Sequence, residues 1–491
     1  MPASLPAAQP PRSLPPAAGS APGASGAPAA PPNDAGSDWR IPRGAGGGIA
    51  GYTDPASVVT GGTVTLYAST RAPTFVVRAF RMGWYGGSEA RQTWRSQPVS
   101  GRVQPAPVLP PAATNTVTTL WRPSLRIDTT GWLPGVYLLR LDAADGSESY
   151  VPLTVRSPSA AGKVVIISPV TTWQAYNTWG CCDLYAGGNG SFATRARAVS
   201  FDRPYAMERG AGEFIRGELG LIAEAERLRL PLDFVTDVDL QTVPDLLAGA
   251  RAVVSPSHDE YWSPRMRAVL TAARDAGTNL AFLGANAIYR RIRFAPTALG
   301  PDRVEINYKI AQQDPLYGRD DPAVTADWPA APDPRPESAL LGAQYGCLTQ
   351  TPHAPGVVAD PGAWLFAGAH VYAGQMLPGL IGPEIDAVQP AYPTPRPIEV
   401  LLHSPVSCPA GAPAAADTTY YVAPSGAGVF DAGTIAWACA VSRRCPVPMS
   451  GPTHRVVRTV TDNLLSAFAQ GPAGRLHPAR DNLVALGIVP R

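Results

Sequence analysis

Continuous apolar runs alternate with helical patterns between residues 163 and 286, and this alternation limits the chain to few folds. Residues 212–230 and 263–277 have the apolar spacing of helices. Ser263 followed by Pro264 is a typical start for the second of these helices. Apolar strands that alternate with helices are typical of a parallel sheet covered on both faces. The sequence therefore predicts a doubly wound α/β parallel sheet of the flavodoxin-like or glutamine-amidotransferase-like kind. The apolar runs are KVVIISP (163–169), LDFVTDVDL (232–240), ARAVVSPS (250–257) and TNLAFLGAN (278–286).

Two other regions precede this predicted sheet. Residues 1–38 consist mainly of Ala, Pro, Gly and Ser without an aromatic residue, so they bury too little apolar surface to fold. In residues 39–157, apolar and polar residues alternate with a period of two in short runs, and Gly and Pro mark turns between the runs. This pattern predicts a small all-β sandwich of immunoglobulin-like size. We therefore expect a disordered arm (1–38), a β-sandwich domain (39–157) and an α/β domain (158–491).

Composition excludes several classes of partner. The net charge is +2 and no basic stripe is present, so nothing predicts nucleic-acid binding. No run of about 18 apolar residues predicts a membrane span. Among the six cysteines, Cys439 and Cys445 are the best local candidates for a disulfide. A long Pro/Ala arm often stands between an export signal and a folded domain, which favours an exported protein over a cytoplasmic one.

Polar side chains follow three of the predicted strands, where ligands of doubly wound sheets bind. Topology alone brings Tyr176, Glu260 and Asn286 toward one crevice, and the loop that carries Tyr205 can reach the same place. These residues predict a pocket with a carboxylate, phenols and an amide. The sequence lacks the G-x-S-x-G, Walker A and H-E-x-x-H motifs, and no G-x-G-x-x-G fingerprint follows the first strand of the predicted sheet, which argues against the common reactions those motifs support.

Several stretches resemble the N,N-dimethylformamidase large-subunit family and its bacterial relatives. The H-D-E-Y-W and G-A-N segments, with their separation, are the most specific part of this resemblance. The matching stretches are FRMGWYGGSEARQ (80–92), TTWQAYNTWG (171–180), SFDRPYAMERG (200–210), VTDVDL (235–240), 257–286 and TTYYVAPSGAGVFDAGTIAW (418–437).

The resemblance implies a mononuclear iron centre, most simply ferric, held by two tyrosines and one glutamate. Tyr185 competes for one of the tyrosine positions, because the loop lengths differ from those of the family. Cys181 and Cys182 stand where small residues are expected. The residues implied by position are the metal ligands Tyr176, Tyr205 and Glu260, and the catalytic residues His258, Asn286 and Glu384.

On this basis we expect a metal-dependent hydrolase of a carbon–nitrogen bond in a small amide, in which a metal-bound hydroxide attacks the carbonyl. His258 or a carboxylate would protonate the departing amine, and Asn286 would stabilise the oxyanion. The partner would be a small amide, with a homo-oligomer or a small partner subunit as further expectations. Two alternatives remain: a non-catalytic exported protein that binds a glycan or surface polymer, and an inactive glutamine-amidotransferase-like scaffold.

Overall fold

The structure is a computed structural model that describes residues 39–109 and 114–488. The predicted disordered arm, residues 1–38, lies outside the described residues. No helix among the described residues combines the length and the apolar character that a membrane crossing requires.

The first part of the described chain is built of strands. One sheet has the order β1-β3-β7, and the other has the order β2-β9-β8-β4-β5 with β6 paired to β4. All pairs are antiparallel except β2 with β9. The strands are β1 (Ile49–Asp54), β2 (Ser57–Val59), β3 (Thr63–Thr70), β4 (Thr74–Tyr85), β5 (Ser88–Arg95), β6 (Val99–Ser100), β7 (Leu125–Asp128), β8 (Gly135–Ala143) and β9 (Glu148–Arg156).

The two sheets share an apolar core, because alternate residues of each strand point inward. Leu66 and Ile127 of the first sheet pack in one cluster with Val77, Leu139 and Leu153 of the second. The period-two pattern of the sequence arises from this packing. The domain boundaries at 39, 157 and 158 stay a prediction.

The rest of the described chain contains more strand than helix. The helices are α1 (Val170–Ala175), α2 (Gly212–Gly217), α3 (Leu219–Arg227), α4 (Asp237–Thr242), α5 (Pro264–Asp275), α6 (Ser338–Leu341), α7 (Ala436–Ser442) and α8 (Gly451–Phe468). The strands are β10 (Val164–Ser168), β11 (Ala198–Ser200), β12 (Leu232–Thr236), β13 (Ala252–Ser255), β14 (Tyr261–Trp262), β15 (Asn279–Phe282), β16 (Arg290–Arg291), β17 (Arg293–Thr297), β18 (Gly300–Ile306), β19 (Gln344–Leu348), β20 (Ala354–Val357), β21 (Met376–Ile381), β22 (Glu384–Ala387), β23 (Ile398–Ser407), β24 (Pro413–Val422) and β25 (Gly428–Asp431).

The prediction of a doubly wound α/β parallel sheet, flavodoxin-like or glutamine-amidotransferase-like, is wrong. The largest sheet is mixed, with the order β12-β10-β13-β15-β25-β24-β23, and β24 runs antiparallel to both of its neighbours. The remaining strands of this part form four small sheets, and the helices are few. The part of the chain that the structure describes is therefore built mostly of strands.

The error has a physical reason in how the large sheet is covered. The four apolar runs do form neighbouring parallel strands, as their burial on both faces requires. On one face, Val164 and Ala281 belong to a core that includes Leu380 of β21, Ile385 of β22 and Phe80 of β4. Strands as well as helices thus cover this face. The spacing of apolar residues after residue 286 does not reveal the covering strands β21 and β22.

The G-W-Y-G-G segment ties the N-terminal sheet to this core. Arg81 in β4 forms an ion pair of 2.6 Å with Glu226 in α3, and the backbone N–H of Trp84 donates to the same carboxylate over 2.7 Å. A Cβ atom at Gly83 would lie 2.0 Å from Glu226 Oε2. Glycine at this position therefore lets the carboxylate approach the strand.

Three disulfides close loops of different lengths in the described chain. The structure pairs Cys439 with Cys445, the predicted local pair. It also pairs Cys347 with Cys408 and the neighbours Cys181 and Cys182.

Opening the longer loop is expected to destabilise the protein more. The Cys347–Cys408 bond spans 61 residues and the Cys439–Cys445 bond spans 6, so the longer one restricts the unfolded chain more strongly. In the chain-entropy description, the difference is about 2 kcal/mol in the free energy of unfolding. Urea unfolding of the two double Cys→Ser variants measures this difference, and equal losses would contradict it.

Candidate active site

Three polar segments gather at one edge of the large sheet, where β10, β13 and β15 end. Tyr176 follows α1, which begins just after β10. Glu260 lies shortly after β13, and Asn286 lies shortly after β15 with a positive φ of 57°. The parallel arrangement of these strands brings the three residues together, as predicted from topology.

Two phenol oxygens and one carboxylate oxygen form a small triangle at this edge. Tyr176 OH lies 2.7 Å from Tyr185 OH and 2.8 Å from Glu260 Oε2. Tyr185 OH lies 3.0 Å from the same Oε2 atom. The two tyrosine rings stack with centroids 4.5 Å apart. All three groups are thus fixed within hydrogen-bond distance of each other.

The second phenol of the triangle comes from Tyr185, while Tyr205 lies to one side. The Tyr205 ring packs edge-to-face on Trp173, with centroids 5.7 Å apart. Burial raises the pKa of Tyr205, the nearby Asp237 raises it further, and a hydrogen bond with Gln174 lowers it in part. Of the tyrosines predicted as ligands, the structure brings Tyr176 into the triangle and places Tyr205 beside it.

The loop between Tyr176 and Tyr185 is held in shape by a buried arginine. Arg203 is fully buried and donates to the backbone oxygens of Trp179 and Cys182 over 3.1 and 3.0 Å. Its other nitrogens donate to Gln174. The Cys181–Cys182 disulfide lies in the same loop. The D-R-P-Y segment (202–205) therefore contains Tyr205 itself and also Arg203, which holds the loop that ends at Tyr185.

A second polar group adjoins the triangle. His258 Nε2 lies 3.5 Å from Glu260 Oε2 and 3.2 Å from Glu384 Oε2. Asn286 Nδ2 donates to Glu384 over 3.2 Å, and its backbone N–H donates to Asp386 over 2.8 Å. Asn286 Oδ1 is buried without a hydrogen-bond partner among the described residues. The three residues predicted as catalytic thus contact one another beside the triangle.

Two cationic side chains on the opposite side were missed by the sequence analysis. Arg290 Nε donates to Glu260 Oε1 over 3.2 Å, and its guanidinium also pairs with Asp327. Lys309 Nζ donates to Tyr261 OH over 2.5 Å, and Tyr261 OH donates to Tyr185 OH over 2.8 Å. Lys309 is one of only two lysines in an arginine-rich chain. This rarity is the feature of the sequence that could have singled it out as a candidate site residue.

Charges in the crevice favour an ionised carboxylate beside protonated phenols. Burial and the charge of Glu260 raise the pKa of Tyr176 and of Tyr185. Burial opposes ionisation of Glu260, but Lys309 and other cations outweigh it, and its pKa lies below the usual value. Burial and the neighbouring Arg290 lower the pKa of Lys309 to about 7. A cation at the triangle would therefore have to displace phenol protons.

The triangle has the dimensions of three adjacent positions around a small cation. With bonds of about 2.0–2.1 Å in an octahedral ion, neighbouring ligand atoms lie about 2.9 Å apart. The edges here are 2.7, 2.8 and 3.0 Å. Within the described ranges, no group of three or more His, Cys, Asp and Glu side chains is arranged to hold a metal ion. A metal in this crevice would thus depend on the phenols.

A cavity of about 250 Å³ reaches the triangle from one side. Tyr176 is the member of the triangle that lines it, and Trp173, Tyr205 and Phe214 give it apolar and aromatic walls. Glu213 also lines it. The arrangement can admit a small molecule to the side of Tyr176.

Comparison with known proteins gives one informative match. No curated protein matches the chain. A solved structure of a Paenibacillus sp. cycloisomaltooligosaccharide glucanotransferase, complexed with cycloisomaltoheptaose, is similar at 15% identity, 25% coverage of this chain, 16% coverage of that chain and a TM-score of 0.15. This likeness is too slight to carry an argument. The family model described as N,N-dimethylformamidase beta subunit-like, C-terminal, matches residues 76–448. The chain therefore belongs to the N,N-dimethylformamidase beta subunit-like, C-terminal family.

Proposed function

We propose that this protein is an iron-dependent hydrolase of the carbon–nitrogen bond of a small amide. The family indicates a dimethylformamidase-like hydrolase. The observation that supports a bound metal is the oxygen triangle of Tyr176, Tyr185 and Glu260. Phenolate and carboxylate oxygens are hard ligands, which suit a highly charged ion such as ferric iron.

When bound, such a cation would polarise an amide carbonyl and lower the pKa of water and of the phenols. Tyr176, Tyr185 and Glu260 would hold it. Arg290 hydrogen-bonds the Glu260 oxygen Oε1, which lies outside the triangle, and so fixes the orientation of the carboxylate. Lys309 acts through Tyr261 to orient the hydroxyl of Tyr185.

Proton transfer would be the task of the second polar group. The departing amine needs a proton, and His258 lies between two carboxylates that can supply and restore one. Burial raises the pKa of Glu384 and the charge of His258 lowers it in part, so Glu384 keeps a proton at a higher pH than an exposed glutamate. The Asn286 amide, hydrogen-bonded to Glu384, is placed to donate to a developing oxyanion.

Elemental analysis and a hydrolysis assay test this proposal together. The purified full chain, loaded with ferric iron, is expected to retain about one iron per chain and to show a phenolate-to-iron absorption band. It is further expected to release amines from a panel of small amides. Protein that retains no metal and hydrolyses none of them would contradict the proposal and favour a non-catalytic surface-binding protein.

Two tyrosine variants are expected to show whether Tyr185 or Tyr205 is the second tyrosine ligand of the iron. Tyr185→Phe removes an oxygen of the triangle and should weaken the absorption band, because only the Tyr176 phenolate remains, and lower iron affinity by more than about 10-fold. Tyr205→Phe is the matched control, because it removes a buried hydroxyl from the same region and leaves the triangle whole. Iron titration of both variants provides the measurement. The opposite result would assign the second ligand to Tyr205.

A further inference from the structure

The cavity beside the triangle has one feature that the proposed reaction does not use. Glu213 lines it, half-buried, in the first turn of α2. In the part of the chain that the structure describes, no group donates a hydrogen bond to this carboxylate or forms an ion pair with it. The nearest basic residue on its own helix, Arg216, is paired with Glu208 at 2.5 Å. Glu213 thus presents an unpaired negative charge to the cavity.

An unpaired carboxylate in a largely apolar cavity is costly unless a ligand compensates for its lost hydration. None of the surrounding Trp173, Tyr205, Met207 and Phe214 side chains donates a hydrogen bond to it in the described structure. His258 and Arg216 act on Glu213 only through their charge, and burial opposes its ionisation. A protonated amine that entered the cavity would find the carboxylate as its one acidic partner among the lining residues.

The cavity also limits the size of its occupant. Its volume of about 250 Å³ corresponds to about eight water molecules at about 30 Å³ each. A molecule of about eight non-hydrogen atoms would therefore fill it, in reach of both Tyr176 and Glu213, which line it. Longer chains such as peptides or oligosaccharides exceed this volume.

We infer that Glu213 selects substrates, and that the protein prefers small amides that carry a protonated amine in addition to the scissile amide. This inference rests on the proposed amide hydrolysis. Apolar walls hold the linking carbons, and Glu213 accepts a charge-assisted hydrogen bond from the ammonium group. Glu213 acts as a specificity residue and takes no part in bond cleavage.

An isosteric pair of amides tests the inference on the iron-loaded full chain. 4-Aminobutanamide and pentanamide have the same number of non-hydrogen atoms and differ in an ammonium against a methyl group. The cationic amide is expected to have a kcat/KM about 10–100-fold higher, the range of a charge-assisted hydrogen bond. Glu213→Gln should abolish this preference. Glu208→Gln is the matched control, since Glu208 does not line the cavity, and it should preserve the preference.

A binding measurement separates this inference from the proposed function. By calorimetry, n-butylammonium is expected to bind more tightly than 1-butanol to the wild-type protein and to the Glu208→Gln variant, but not to Glu213→Gln. Equal binding of the two probes, or a preference that survives in Glu213→Gln, overturns the inference even if amides are hydrolysed. If neither amide is hydrolysed, the proposed function fails, and the calorimetric comparison still decides the role of Glu213.

Discussion

Replacing Glu260 by Gln is expected to lower the affinity for iron by more than about 100-fold and to abolish amide hydrolysis. The substitution removes the only carboxylate oxygen of the triangle and its negative charge. Even residues behind metal ligands typically contribute 10–100-fold to metal affinity, so the loss of a charged ligand should exceed about 100-fold. Competition of the variant against a chelator of known affinity measures this change.

Glu305→Gln is the control for this experiment. Glu305 is fully buried in the same region and influences Glu260 electrostatically, but its carboxylate has no hydrogen-bond partner among the described residues. If the triangle holds the metal, this variant should keep most of its iron affinity. Equal losses in the two variants would mean that the general negative potential, and not the triangle, attracts the cation.

Replacing Arg203 by Met is expected to lower the free energy of unfolding by about 2 kcal/mol or more. The variant would leave the backbone oxygens of Trp179 and Cys182 without donors in a buried region, and Gln174 would lose one of its donors. Each unsatisfied buried group costs about 1–3 kcal/mol. Because the loop carries Tyr185 at its end, the folded fraction should also bind iron more weakly. Urea unfolding and iron titration measure the two effects.

A surface arginine provides the comparison for Arg203. Arg216 forms an exposed pair with Glu208, with a side-chain exposure of 61% for Arg216, so Arg216→Met should cost less than about 1 kcal/mol. Arg203→Lys should be intermediate, because an ammonium cannot reach three separate acceptors from one point. Unchanged iron affinity in Arg203→Met would show that the loop keeps its shape without this residue.

Local periodicity explains why part of the architecture was predictable. The buried strands β10, β12, β13 and β15 are continuous apolar runs, and their shared direction places Tyr176, Glu260 and Asn286 at one edge. The strands β21 and β22 have no such pattern. They help to cover one face of the large sheet, whose edge strands β24 and β23 are paired antiparallel, so the predicted fold class was wrong.

The ligand set was less predictable, since loops decide it. Whether Tyr185 or Tyr205 joins Tyr176 depends on the path of the loop that Arg203 holds, and no sequence period encodes that path. Lys309 reaches the crevice from the loop that follows β18, far along the chain. Its rarity as a lysine was visible, but only the folded chain shows that it lies 3.6 Å from the Tyr185 ring centroid.

The ion pair between Arg81 and Glu226 has a consequence for how such proteins can evolve. Phe80 and Leu138 of the N-terminal sheet share one apolar core with Phe214 and Leu221 beside the crevice. A recombination event that exchanged residues 39–157 would leave this shared surface with a poorly fitting partner. The N-terminal sheet and the part of the chain that carries the crevice must therefore be inherited together. Substitutions in the N-terminal sheet can then alter the packing beside the crevice although every crevice residue is unchanged.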